Sequence, residues 1–300
     1  MLMPWADKLK TESRGRLNIT VFPSMQLGGQ APQLIDQARD GVVDIVWTLA
    51  GSTPGRFPRT EVFELPFLNV DPVTMNLALR DFLDRHPEEF AEYKLIAAFV
   101  HAGQALHSRR PVRDLADLRG LRIRIPGRVG GWMVEAMGGI PLGSPVSAIP
   151  EQISRGIIDA ALIPFEVVRS LHVDELVDYH VTLDREGSDR FHTQVFVIVM
   201  NLDSYRRLPA DLRAVIDRNS GEAMARWLGK LWMANEAPGL ELASKSGHLI
   251  RLSPPVVRAM RERVEGAVQQ RWFKLMAERG LNGPALLREA RMLIEARRPP

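Results

Sequence analysis

Two arginines on one short strand are the residues best placed to hold an anion. Residues 121–125 are LRIRI, and Pro126-Gly127 ends the strand. Because side chains alternate along a strand, Arg122 and Arg124 share one face while the apolar residues take the other. A cationic pair beside an apolar face, at the carboxyl end of a strand, predicts an anion-binding site.

The sequence contains no recognisable pattern for catalysis or for a cofactor. It has no cysteine, which excludes disulfides, thiolate metal sites and cysteine nucleophiles. The seven histidines show no HExxH or comparable spacing. No GxSxG, Walker or Rossmann glycine pattern occurs. We expect no enzymatic activity, no cofactor and no metal, although His172 and His180, on either side of an acidic helix, leave a metal site open.

Length and composition are typical of a globular protein large enough for two lobes. The chain has 300 residues, of which 45% are hydrophobic and 25% charged. Its net charge is only +3, and the basic residues are scattered among 36 acids without an aromatic-interleaved stripe. This pattern argues against a nucleic-acid partner. The longest apolar runs are too short to cross a bilayer.

Strands and helices alternate along the first half, which predicts an α/β fold with a parallel sheet wrapped by helices. The expected elements there are strands at 16–21, 42–47 and 95–100 and helices at 5–13, 31–40 and 72–83. Residues 195–201, VFVIVMN, predict a strand buried on both faces. One long helix is expected from 210 to about 235, and residues 184–190 are expected to form a solvated charged loop.

Short motifs in a fixed order resemble the solute-binding proteins of TRAP transporters (tripartite ATP-independent periplasmic transporters), the dicarboxylate-binding-protein superfamily. Residues 117–126, DLRGLRIRIP, are similar to the family's DLKGLKIRVP signature, and residues 64–68, ELPFL, to its LPFL signature. Further matches follow the family order: FPSMQLGG at 22–29, GIPL at 139–142, RGIID at 155–159 and LPADL at 208–212. Each motif is weak alone, but together they cover nearly the whole chain.

The resemblance implies a two-lobe periplasmic-binding-protein-like α/β fold with two crossing hinge strands, a long lobe-spanning helix and a ligand cleft between the lobes. The expected division assigns 1–103 plus 198–235 to lobe I and 104–197 plus 236–300 to lobe II. Hinge closure would trap a small organic anion. The membrane subunits of a TRAP permease are the implied partners, and the periplasm is the implied location.

The resemblance also implies which residues contact the solute. The family commonly binds a carboxylate with the arginine at the position of Arg124, and a bidentate guanidinium–carboxylate pair suits a closing cleft. Many members have a second arginine where this chain has Gln104, and the polar residue ahead of the second crossing strand lies near Thr193. The family's common glutamate is replaced by Ala148. Since these changes remove charge, the expected solute is a monocarboxylate with an apolar or aromatic body.

Three further residues are candidates for the walls of the cleft. Trp47 and Phe165 end strands whose family counterparts line the cleft, so either could stack on an aromatic solute. Arg128 could cap the cleft, and the alternative is a surface position in a loop. Plain core packing is the alternative for both aromatic residues, and Trp227, Trp232 and Trp272 are expected to be core.

Two other classes of function stay open. A sensor module with the same binding fold is the first, and an enzyme on a bilobal scaffold, for which no acid/base set is found, is the second. The family's signal peptide and first strand would precede Pro4-Trp5-Ala6 and are not in this sequence. We therefore expect either an upstream start or a truncated chain.

Overall fold

The computed structural model describes residues 1–183, 190–245 and 248–299. Within these ranges the α-helices are α1 (Leu2–Glu12), α2 (Ala31–Arg39), α3 (Pro72–Arg85), α4 (Arg128–Met137), α5 (Ile149–Ser154), α6 (Phe165–Ser170), α7 (Leu202–Arg207), α8 (Ala210–Arg218), α9 (Gly221–Lys245), α10 (Pro254–Glu278) and α11 (Gly283–Arg297). The strands are β1 (Ile45–Leu49), β2 (Tyr93–Val100), β3 (Ala105–Ser108), β4 (Arg122–Ile125), β5 (Ile140–Gly143), β6 (Ala160–Ile163), β7 (Tyr179–Thr182), β8 (Val195–Asn201) and β9 (Leu249–Arg251).

The first lobe is built on a three-stranded sheet in the order β1-β8-β2. β8 is central and antiparallel to both neighbours, so its apolar residues are covered on both faces, as its sequence predicts. Helices α2 and α3 pack on one face, and α1, α8 and the first half of α9 pack on the other.

The second lobe contains a six-stranded mixed sheet in the order β5-β4-β6-β3-β7-β9. β4 runs parallel to β5 and β6, whereas β3 runs antiparallel to β6 and β7. The carboxyl end of β4 and the amino end of β3 therefore lie at the same edge of the sheet. That edge faces the connections to the first lobe.

Two extended segments and one helix join the lobes. Residues 101–104 and 190–194 run side by side: Gln104 N–H donates to the His192 carbonyl (2.8 Å) and Phe191 N–H donates to the Gln104 carbonyl (3.1 Å). Helix α9 packs on α3 and β2 with its first half and on α6 with its second half. The expected two-lobe fold with crossing segments and a lobe-spanning helix is confirmed.

Several details differ from the sequence-based expectations. Residues 16–21 form no strand, because the described three-stranded sheet has β1 and β2 at its edges and neither pairs with them. The expected helix from 210 is two helices, since Gly221 has a left-handed φ of 60°, and α9 continues through Pro238 to Lys245.

The expected lobe boundaries also differ from the packing. β8 pairs along its whole length with the first sheet, although residues 195–197 were expected in lobe II. Helix α11 packs against α3, although residues 236–300 were expected in lobe II. The expected charged loop at 184–189 lies outside the described residues, and Arg190 is buried rather than solvated.

Candidate functional site

Arg124 is a buried cation at the edge of the second sheet. Its side chain is on β4 and the residue is only 4% exposed. Nε donates to the Ser144 carbonyl (3.0 Å) and Nη1 to the Leu162 carbonyl (3.2 Å). No carboxylate in the described ranges forms an ion pair with it, and burial lowers its pKa to about 10, so it is protonated at pH 7. A buried charge without a counter-charge is unfavourable, and an anion would relieve it.

Arg122, on the same strand, is neutralised within the protein. Its Nε and Nη2 donate to the two carboxylate oxygens of Asp159 at 3.0 and 2.8 Å. Hydrogen bonding to the guanidinium lowers the pKa of that carboxyl group. Of the two arginines in the RIRI strand, Arg124 alone keeps its charge available.

The crossing segments bring Gln104 close to Gln194, whereas Thr193 braces the backbone. Gln104 Nε2 donates to Gln194 Oε1 (3.2 Å), and both side chains are buried. The hydroxyl of Thr193 donates to the His101 carbonyl (3.1 Å) and is fully buried. Solute contacts of Gln104 and Thr193 stay predictions. Gln194 was not identified from the sequence, although its place next to Thr193 is a usable signal.

An aromatic cluster lies at the end of the first sheet that adjoins the crossing segments. The ring of Phe196 is 5.7 Å from Trp47, 5.8 Å from Trp232 and 5.9 Å from His101, measured between ring centroids. Trp47 is 38% exposed, so part of its ring is available for stacking. Trp232, which was expected to be core, is partly buried against the hydrophobic cluster of the first lobe, and its buried Nε1 has no hydrogen-bond partner in the described ranges. The cluster is a suitable wall for an aromatic solute, and the role of Trp47 in it stays a prediction.

Phe165 lies in the interior of the second lobe and not on its surface. The residue is fully buried and its ring meets His107 edge-on at 5.0 Å. The guanidinium of Arg190 lies 5.4 Å from the ring centroid and pairs with Glu236 at 2.8 Å. The Phe165 N–H donates to Glu236 (2.9 Å) on α9. Phe165 therefore anchors the lobe-spanning helix, and direct solute contact stays a prediction.

Arg128 links the two lobes. It lies at the start of α4 in the second lobe and forms two hydrogen bonds, of 2.6 and 2.7 Å, with the carboxylate of Glu61 in the first. Nearby, Glu64 accepts a hydrogen bond from Val195 N–H (3.0 Å), and burial raises its pKa to about 8. Glu64 is thus mostly neutral at pH 7. A capping role for Arg128 stays a prediction.

The residues that the structure describes contain no group of three or more His, Asp or Glu side chains able to hold a metal ion. No helix among them is long and apolar enough to cross a bilayer.

Two α/β lobes joined by crossing segments, with a buried cation where they meet, are typical of a binding protein for an anionic solute. The chain belongs to the bacterial extracellular solute-binding protein family 7 (DctP), whose family profile matches residues 1–275. Family members of this kind serve TRAP transporters, as the following relatives show.

Two similar solved structures are TRAP solute-binding proteins with aromatic acids bound. One, from a marine metagenome, is specific for aromatic acid ligands and contains metahydroxyphenylacetate; it is 39% identical, with a TM-score of 0.95 over 99% of this chain and 94% of that chain. The other, from Rhodoferax ferrireducens T118, contains copurified benzoate and is 39% identical, with a TM-score of 0.94 over 99% and 92% of the chains. TsaT of Comamonas testosteroni, described as an outer membrane transporter protein, is 25% identical over 96% of this chain and 84% of its own length.

Proposed function

We propose that this chain is the periplasmic receptor of a TRAP transporter and captures a small aromatic monocarboxylate. The observation that carries the proposal is Arg124, a buried guanidinium without a carboxylate partner in the described ranges. A solute carboxylate would supply the missing charge through a bidentate pair. The cluster around Trp47 and Phe196 would hold the ring. The aromatic acids bound by the two relatives at 39% identity support the same solute class.

Delivery of the solute unchanged to TRAP permease subunits completes the proposed role. Lobe closure about residues 101–104 and 190–194 would cover the solute, and the ion pair between Arg128 and Glu61 would hold the closed state. We assign β8 and α11 to the first lobe in this motion, following their packing.

A thermal-shift and calorimetry panel tests the proposal with four matched probes: benzoate, cyclohexanecarboxylate, benzamide and benzylamine. At about a hundred times its Kd, a ligand adds roughly 2.7 kcal/mol to the free energy of unfolding. Benzoate should raise the melting temperature most, because benzamide lacks the charge and cyclohexanecarboxylate lacks the π-face. Equal shifts for benzamide and benzoate would contradict the carboxylate site. Two measurements test delivery. Bound benzoate should be recovered unchanged, and vesicles that contain the permease should take up benzoate only when this protein is present.

A further inference from the structure

Four neutral polar side chains of the crossing segments are buried with one polar atom each left unpaired. His101, Gln104, His192 and Gln194 are at most 4% exposed. The atoms without a partner in the described part of the chain are His101 Nε2, Gln104 Oε1, His192 Nε2 and Gln194 Nε2. Buried polar atoms are nearly always hydrogen-bonded in a working protein. Four unpaired atoms on two adjacent segments point to a polar group that binds there.

The two glutamines together offer one donor and one acceptor. Gln104 Nε2 donates to Gln194 Oε1, which leaves Gln104 Oε1 as an acceptor and the amide of Gln194 as a donor. Exchanging oxygen and nitrogen in both side chains gives the same inventory, one free donor and one free acceptor. The complement of this pair is a group that both donates and accepts.

The two histidines are uncharged and have opposite roles. His192 Nδ1 lies 2.8 Å from the Thr193 carbonyl and must donate to it, which leaves Nε2 as an acceptor. His101 Nδ1 accepts from Gly103 N–H (2.8 Å), so its Nε2 carries the hydrogen and is a donor. Burial lowers the pKa of His101 to about 3 and that of His192 to about 4. The two histidines therefore offer no positive charge for a second carboxylate at neutral pH.

These polar atoms lie at the same edge as Arg124. A Cβ at Gly127, three residues after Arg124, would be 3.5 Å from Gln194 Nε2. β3, which follows Gln104, is separated from β4 by β6 alone, so about 10 Å lies between the two strands across the sheet. A solute with its carboxylate at Arg124 and a polar substituent at the glutamines would bridge a distance of this order.

Resting on the proposed function, we infer that the pair Gln104–Gln194 binds a hydroxyl group on the solute ring, so that the receptor selects hydroxylated aromatic monocarboxylates. A hydroxyl donates to the free acceptor and accepts from the free donor at once. An unsubstituted ring leaves both atoms buried and unpaired. A second carboxylate only accepts, so it could pair with the donors Gln194 Nε2 and His101 Nε2 but would leave the acceptors Gln104 Oε1 and His192 Nε2 unpaired.

Calorimetry with benzoate, 3- and 4-hydroxybenzoate and isophthalate tests the inference. Wild-type protein should bind at least one hydroxybenzoate about tenfold or more tightly than benzoate, and isophthalate more weakly than either. In the double variant Gln104→Leu/Gln194→Leu, this ratio of Kd values should fall to about one. Gln270→Leu, at an exposed glutamine of α10, is the matched control and should keep the wild-type ratio.

The outcomes separate this inference from the proposed function. Equal Kd values for benzoate and both hydroxybenzoates would overturn the hydroxyl site and leave aromatic-acid capture standing. A preference that survives in a folded double variant, shown by its far-UV spectrum and its binding of benzoate, would also overturn it. Tighter binding of isophthalate would contradict the neutral character of the site. Binding of no aromatic acid would overturn both proposals. Arg124→Met should weaken all the acids alike and leave their ratio unchanged.

Discussion

Replacing Arg124 by methionine should weaken the binding of a solute strongly and change the stability of the solute-free protein only slightly. The reason is that the buried charge is unfavourable in the solute-free protein and favourable beside a bound carboxylate. The fall of the Arg124 pKa from 12.5 to about 10 corresponds to a desolvation cost of about 3 kcal/mol for the cation. Methionine removes this cost together with two hydrogen bonds from the charged guanidinium to carbonyl groups, which contribute about 1.5–2 kcal/mol each. The free energy of unfolding of the solute-free protein should therefore change by only about 1 kcal/mol.

Binding should respond much more strongly than stability. A bound carboxylate that loses its buried partner is destabilised by about 3–5 kcal/mol. At about 1.4 kcal/mol per factor of ten, the Kd of benzoate should rise roughly a hundredfold to a few thousandfold. Calorimetry gives the Kd, and urea unfolding gives the stability of the solute-free protein. Arg122→Met, on the same strand but paired with Asp159, is the matched control and should keep the Kd. An unchanged Kd in Arg124→Met would refute the reasoning, as would a large loss of stability.

Three other perturbations test the surroundings of the site. Arg128→Met removes the interlobe pair with Glu61 and should speed solute dissociation about fivefold, followed by stopped-flow tryptophan fluorescence, since such a pair contributes about 1 kcal/mol. Glu64, whose pKa rises from 4.5 to about 8 on folding, makes the folded protein bind more protons than the unfolded chain between these values. Stability should therefore fall as pH rises through that window, and Glu64→Gln should reduce the fall between pH 6.5 and 8, measured by urea unfolding, by up to about 1 kcal/mol per pH unit. Gly239→Ala places a Cβ 2.3 Å from the Phe165 carbonyl oxygen and should lower the free energy of unfolding by about 2 kcal/mol, measured by thermal denaturation.

Each of these perturbations has its own control or contradicting result. A dissociation rate of Arg128→Met equal to that of wild type would show that the pair does not hold the lobes closed. The same pH slope in wild type and Glu64→Gln would mean that Glu64 is ionised in the folded protein. Gly266→Ala on α10, where a Cβ meets no atom within 4 Å, is the control and should keep or raise the free energy of unfolding. If Gly239→Ala were as stable as Gly266→Ala, close packing of Gly239 against Phe165 would be contradicted.

The sequence was sufficient for the fold because local patterns and family motifs agree. The continuous apolar run at 195–201 predicts a strand covered on both faces, and β8 is the centre of the first sheet. Prediction failed where a boundary depends on partners far along the chain. Residues 16–21 have strand-like alternation, but a strand needs a neighbour to accept its hydrogen bonds. The break before α9 depends on the backbone angle of Gly221, since glycine within a helical pattern is compatible with either outcome.

The candidate site was predictable in part for the same reason. The motif identifies Arg124 as a strand residue, but Arg122 is distinguished from it only by Asp159, which lies 37 positions away. The aromatic cluster combines Trp47 of β1, Phe196 of β8 and Trp232 of α9, elements that meet only in the folded chain. The unpaired atoms of Gln104 and Gln194 are likewise a property of the packing, because sequence alone does not show which hydrogen bonds a buried amide makes.

Charge balance between the lobes explains why a monoanion suits this protein. Two other arginines of the region are paired within the protein, the half-buried Arg128 with Glu61 and the buried Arg190 with Glu236. Burial raises the pKa of Glu64 to about 8 and that of Glu166 well above its usual range. Arg124 has no carboxylate partner in the described ranges, so in the proposed site a single solute carboxylate would neutralise it. A dianion would leave one negative charge in a water-poor space, where unpaired charges are most unfavourable. The proposed selection against dicarboxylates would thus come from the number of charges as well as from the neutral glutamines and histidines of the crossing segments.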